Sequence, residues 1–159
     1  MKNIKKTDLS IIACLRKDAR QRLTYISRTT GVPVSTIYDR MKQHDNGLIV
    51  KHTALIDFHK LGFCTRAYIA IKVDRERRDS VKELLLNHPY VNSLNKINNG
   101  YDFIIEAVFA NLSDLEKFMD SMEQSIVQKQ VYYVIDELSR EAFLADPKKL
   151  CLIKEFENY

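Results

Sequence analysis

An α+β fold is predicted: an N-terminal helix-turn-helix (winged-helix-like) domain followed by a C-terminal ferredoxin-like βαββαβ sandwich. Three observations predict it. Between Thr7 and His44, apolar residues recur at helical spacing in three short runs, with Gly31 standing between the second and the third. From Cys64 onward the period falls to two and then alternates with helical stretches, the order β-α-β-β-α-β of an antiparallel sheet with both helices on one face. Charge divides in the same region: residues 1–60 hold 12 Lys/Arg against 5 Asp/Glu, whereas residues 61–159 hold 13 against 16. A basic first part suits a polyanionic partner, and a mildly acidic second part suits a different task.

Taken in order, "TDLSIIACLRKDAR" places Leu9, Ile12 and Leu15 at helical spacing, with Ile11 widening the stripe and Thr7 or Asp8 as the expected N-cap. A second helix fits Thr24 to Thr30, with Ile26 inward and the small Ser27 one turn before Gly31. A third fits Val34 to His44. "DNGLIVKHTALIDF" then turns at Asn46-Gly47 and continues as an extended segment. "CTRAYIAIKVD" alternates as a strand, "RRDSVKELLLNHP" reads as a helix stopped before Pro89, and "VNSLNKI" and "YDFIIEAVF" are strands joined by "NNG". "NLSDLEKFMDSMEQS" is a helix with Leu115, Phe118, Met119 and Met122 in its stripe, and "KQVYYVIDEL" is the closing strand. Ile104 and Val108 face away from Phe103, Ile105 and Ala107, so the uncovered face of the sheet is expected to be apolar and to pack against a second subunit. The alternative cover is the C-terminal tail "AFLADPKKLCLIKEF".

The corner at Gly31 carries the functional reading. A helix-turn-helix sets its second helix against the first through a tight corner, where glycine takes a positive φ without penalty. Val34, Ile37 and Met41 are expected on the buried side, with Tyr38 leaning toward the core. That turns Thr36, Asp39 and Gln43 outward, flanked by Ser35, Arg40 and Lys42. Such groups read base edges or hold phosphates. Arg40, Lys42 and the arm residues Lys2, Lys5 and Lys6 are the expected source of phosphate affinity.

Other classes find little support. With 45% hydrophobic and 29% charged residues the composition is that of an ordinary globular chain, and no apolar run approaches a membrane span. No signal-peptide pattern opens the chain, so a cytoplasmic location is expected. Cys14, Cys64 and Cys151 are scattered, and His44, His52, His59 and His88 lack ligand spacing, so no metal site and no cofactor are expected. No phosphate-binding glycine loop is present.

The spaced residues Asp8, Ile11, Ile12, Leu15, Asp18, Arg20, Gly31 and Arg40 resemble the N-terminal domain of the leucine-responsive and asparagine-regulator (Lrp/AsnC) transcription factors. So do Gly47, Ile49, Thr53, Ala54, Leu61 and Gly62. Pro89, Val91 and "NNGYDF" resemble that family's regulatory domain, so the likeness covers residues 5 to 135. The resemblance implies a non-enzymatic, sequence-specific regulator of transcription that binds double-stranded DNA as a homodimer or higher oligomer. It also implies an amino-acid effector, with Asn98, Asn99, Gly100, Tyr101 and Asp102 as the effector region and the Asp102 carboxylate meeting a ligand ammonium. The expected division is 1–50 for DNA binding, 51–63 for a linking strand, and 64–159 for dimerisation and effector sensing.

Departures from the family pattern temper these expectations. Pro33 stands where the family usually has a capping serine, a role that Ser35 would then take one turn later. His44 stands for leucine, Asp39 for a basic residue that could instead accept from cytosine, and Asn99 for glycine. Two alternative functions remain: a tetrapyrrole (siroheme-type) decarboxylase on the same scaffold, which needs convergent histidines and arginines, and a ligand-sensing module that does not bind DNA.

Overall fold

The computed structural model describes residues 4–45, 47–147 and 150. Lys2, Asn46 and Cys151, to which the sequence assigned an arm, a turn and a thiol, lie outside the described residues. The chain forms two compact units, Met1–Ala54 with Leu138–Tyr159, and Leu55–Glu137. This division differs from the expected one at the C-terminus, because residues after Leu138 group with the helical unit rather than the sheet. Their attachment is specific: the Arg16 guanidinium bonds the carbonyl oxygens of Glu141 and Phe143.

The helical unit contains α1 (Lys6–Lys17), α2 (Leu23–Thr30) and α3 (Val34–His44). Their shared core is Ile11, Cys14, Leu15, Ile26, Val32 and Ile37, with Leu23, Met41 and Ile49 packed against it. The N-cap of α1 is Lys5, not the expected Thr7 or Asp8. The helix starts earlier, at Lys6, so Asp8 falls in the first turn and reaches back to accept the Lys5 N–H at 2.8 Å. Burial drives the Cys14 thiol's pKa upward. After α3 the expected linking strand is absent: only an isolated bridge joins Asp45 and Ile49, and residues 50–57 have no ladder partner within the chain. Val50 is 89% exposed there. A 3-10 turn, Phe58–Leu61, precedes the sheet.

The second unit runs β1 (Thr65–Val73), α4 (Arg78–Leu86), β2 (Val91–Lys96), β3 (Phe103–Phe109), α5 (Leu112–Asp120) and β4 (Ile126–Tyr133). The strands are antiparallel in the order β2-β3-β1-β4, the ferredoxin-like arrangement that the element order predicts. One face of β1 and β3, from Ala67 to Val73 and Phe103 to Phe109, forms a core with Val81 and Leu85 of α4 and Leu115, Phe118 and Met119 of α5. Asn111 caps α5 by accepting the Asp114 N–H at 3.0 Å.

The opposite face corrects the expectation of an apolar patch. Between Ile104 and Val108 stands Glu106, only 7% exposed. Its carboxylate takes Arg66 Nε at 2.7 Å, Ser93 Oγ at 2.6 Å and Asn92 Nδ2 at 2.8 Å. Arg66 also bonds Glu137. Burial works against the charge of Glu106, but the Ser93, Asn92 and Arg66 donors outweigh it and hold the pKa below the ordinary value. The Arg66 pKa, lowered by desolvation but raised more strongly by Glu137 and Glu106, ends above its usual range. Tyr68 and Tyr132, paired across β1 and β4, complete this face.

Candidate nucleic-acid interface

Gly31 ends α2 at φ +73°, and its N–H closes on the Ser27 carbonyl at 2.8 Å. This is the left-handed corner expected of it. A Cβ built at Gly31 meets nothing within 4 Å, so a side chain there would suffer from backbone strain and not from a clash. Gly31→Ala is therefore expected to destabilise the helical unit by about 1 kcal/mol in urea unfolding. Pro33 then precedes α3 directly, and no side chain caps the helix. Ser35 lies within the first turn, so it does not take the capping role the sequence suggested. Proline's fixed φ is compatible with a helix start, and the first-turn N–H groups are left without a side-chain partner.

The buried side of α3 differs from the sequence expectation. Ile37 is fully buried and His44 is 7% exposed, whereas Val34 is 38% and Tyr38 57% exposed. The buried stripe thus runs along Ile37, Met41 and His44, and Tyr38 points to solvent instead of the core. Asp8, 1% exposed, lies near the end of α3, with its Oδ1 3.5 Å from His44 Nε2 and 3.6 Å from Arg40 Nε. Arg40 is half-buried on the flank of the outward face. Its Nη1 donates to Gln43 Oε1 at 3.4 Å. Ser35, Thr36, Tyr38, Asp39, Lys42 and Gln43 are all exposed. They form one polar face, centred on Ser35, Asp39 and Lys42.

The turn between β2 and β3 brings together the five residues assigned to an effector. Asn99 and Gly100 take φ of +63° and +90°; asparagine tolerates this region, which explains its presence where glycine is usual. Asn98, Asn99 and Gly100 are exposed. Asp102 is committed elsewhere: one carboxylate oxygen pairs with Arg78 Nη2 at 2.6 Å and the other accepts the Val73 N–H at 2.9 Å. Its own N–H donates to the Ile71 carbonyl at 2.8 Å, so it braces the turn against β1 instead of presenting a carboxylate to a ligand. The Tyr101 hydroxyl accepts from Gln128 Nε2 at 3.0 Å. Arg78, which sequence reasoning missed, is the partner that holds Asp102 beside this turn. Only its position in "RERRDS" near a helix start hinted at an acidic partner.

Residues 66–141 match the Lrp/AsnC ligand-binding domain family. The chain is 32% identical over 114 residues to the HTH-type transcriptional regulator FL11 of Pyrococcus furiosus, covering 71% of this chain and 76% of that protein. An uncharacterized HTH-type transcriptional regulator of Pyrococcus horikoshii is 28% identical over 142 residues, 88% of this chain and 96% of that one. Among solved structures, Bacillus subtilis LrpC superposes with a TM-score of 0.79 at 21% identity, covering 87% of this chain and 99% of that one. A transcriptional regulator of Neisseria meningitidis, solved as a complex with L-Met, superposes with a TM-score of 0.78 at 20% identity over 86% of this chain and 92% of that one.

Proposed function

Because the chain belongs to the Lrp/AsnC family of transcriptional regulators, we propose that it is a cytoplasmic, sequence-specific DNA-binding regulator whose α3 enters the major groove. The observation that carries this reading is the exposed polar face of Ser35, Thr36, Tyr38, Asp39, Lys42 and Gln43 on the helix that follows the Gly31 corner. Lys42 supplies phosphate affinity. Thr36, Asp39 and Gln43 set base preference, with Asp39 disfavouring close phosphates and accepting from a base donor such as cytosine N4. Arg40 supports the face through Gln43 and Asp8 and is not itself a principal phosphate contact.

A dimer presents two such helices to half-sites one helical turn apart or a multiple of it. The open face of the sheet is the surface we assign to the second copy, because it is self-complementary: tyrosines and amides surround a buried ion pair of both signs. Residues 50–57, without a ladder partner within the chain, suit pairing with another strand. An amino-acid effector is assigned to the exposed turn at Asn98, Asn99 and Gly100, framed by Tyr101 and Asp102. It would act by binding one arrangement of subunits more tightly than another.

The deciding experiment is binding of the full chain to its own promoter DNA over a range of salt. Affinity is expected to fall steeply as salt rises, because phosphate contacts release counterions. Binding that is absent or insensitive to salt refutes the reading. Lys42→Ala is expected to weaken binding to all sequences alike and to reduce the salt slope by about 1, whereas Gln43→Ala relaxes preference at one base position at a cost of about 1–3 kcal/mol.

A further inference from the structure

The open sheet face is charged unevenly. Ala67, Ile69, Ile71 and Val73 of β1 lie in the core, so the alternate residues Arg66, Tyr68, Ala70 and Lys72 line the open face. Arg66 at one end is matched by Glu106 and Glu137. Lys72 at the other end is exposed and has no ion pair among the described residues. Its partner across the ladder is Gln128, so the two side chains leave the sheet together, about 5 Å apart at Cβ. Gln128 Nε2 donates in turn to the Tyr101 hydroxyl at 3.0 Å, which joins this corner to the turn at residues 98–102. The next row across the sheet is Asn95, Ile104, Ala70 and Gln130, so it adds amides and no carboxylate. Asp102, in the same turn, is spent within the chain. Its side chain is 13% exposed, with Oδ1 2.6 Å from Arg78 Nη2 and Oδ2 accepting the Val73 N–H where the β1–β4 register shifts. A ligand ammonium arriving here would have to compete with Arg78. Donors are in better supply: the Asn99 and Gly100 N–H groups meet no acceptor among the described residues, and such groups bind carboxylate oxygens through charge-assisted bonds.

We infer that this corner binds a short dicarboxylate, an acidic amino acid or its 2-oxo counterpart, with one carboxylate at the turn N–H groups and the other at Lys72 and Gln128. This rests on the reading of the turn as the effector site and names the class of effector. Two separate anion-binding points select a ligand with two carboxylates, because a neutral amino acid fills only one of them. The amino group is not read, since Arg78 already holds Asp102. A second copy covering the open face would take Lys72 out of water unpaired, which costs free energy unless an anion meets it. The bound dicarboxylate supplies that anion and so favours the covered arrangement of subunits over the open one.

The test titrates the full chain calorimetrically with L-glutamate, 2-oxoglutarate, L-glutamine, L-leucine and L-lysine at fixed ionic strength. Glutamine keeps the length and the α-carboxylate of glutamate and lacks only the second charge. Glutamate and 2-oxoglutarate are expected to bind within about fivefold of one another, and glutamine at least about tenfold more weakly, the loss of one charge-assisted contact. Lys72 is exposed, so its substitution leaves the core intact. Lys72→Gln is expected to weaken both dicarboxylates about tenfold and to leave glutamine within about twofold, whereas Lys72→Arg retains the preference for dicarboxylates. Glutamine inside its margin, a larger preference for glutamate over 2-oxoglutarate, or unchanged affinities in Lys72→Gln overturns the inference. Binding of leucine or lysine without the dicarboxylates overturns it too, but leaves the effector reading of the turn standing. Binding of none of these probes overturns both.

Discussion

Asp8→Ala is expected to destabilise the helical unit by about 3 kcal/mol, the lower end of the range for removing one partner of a buried ion pair. Asp8 is 1% exposed and serves three groups at once: the Lys5 N–H, Arg40 and His44. Without the carboxylate, Arg40 loses its buried anionic partner and α1 loses the bond that secures its first turn. The lower end applies because Arg40 Nε and His44 Nε2 stand 3.6 and 3.5 Å from Oδ1, beyond a good hydrogen bond, and the Arg40 side chain is partly exposed. Urea unfolding followed by far-UV circular dichroism measures the loss; a change under about 0.5 kcal/mol would remove Asp8 from this role. Arg40→Ala should share the phenotype, losing stability with an unchanged salt slope of DNA binding. Lys42→Ala should do the reverse. The pair therefore separates support of the recognition helix from contact with phosphate.

Glu106→Ala is expected to cost the sheet unit about 3 kcal/mol, and more in an assembly that buries the open face. Its carboxylate satisfies Arg66, Ser93 and Asn92 together, so its loss leaves three donors short of an acceptor in a half-buried surface. Arg66 keeps Glu137 and does not become an isolated charge. The same network sets an acid limit. Because folding lowers the Glu106 pKa from the model-peptide value of 4.5, the unfolded chain takes up the proton first. Its stabilisation is complete above about pH 4.5 and is lost as pH falls through the depressed value. Acid titration of thermal stability should show a smaller loss below pH 4.5 in Glu106→Ala than in wild type. Equal losses would show that another carboxylate sets the limit.

By itself the sequence determined the two classes of structure and their order. Helical spacing against a period of two is written in Ile11, Leu15, Ile26 and Ile37 on one side and in Ala67, Ile69, Ile71 and Val73 on the other. These side chains are buried in the two cores, so local pattern and global packing agree. Gly31 and the Asn99-Gly100 turn were also legible, because a positive φ is a property of the residue and its immediate neighbours. The tertiary structure alone decided what the polar residues do. Val34 is apolar yet 38% exposed, while Asp8, 32 positions before Arg40 and on another helix, lies 3.6 Å from Arg40 Nε and 3.5 Å from His44 Nε2. Asp102 reads as a free carboxylate in the sequence, but the fold sets Arg78 beside it. Glu106, in the middle of an apolar strand, had no visible partner until β1 and β2 brought Arg66, Asn92 and Ser93 to its side. Burial of an apolar side chain follows from one helix or strand and its period. Pairing of a charge depends on which distant segment the fold places within a few ångströms, and no local pattern encodes that distance.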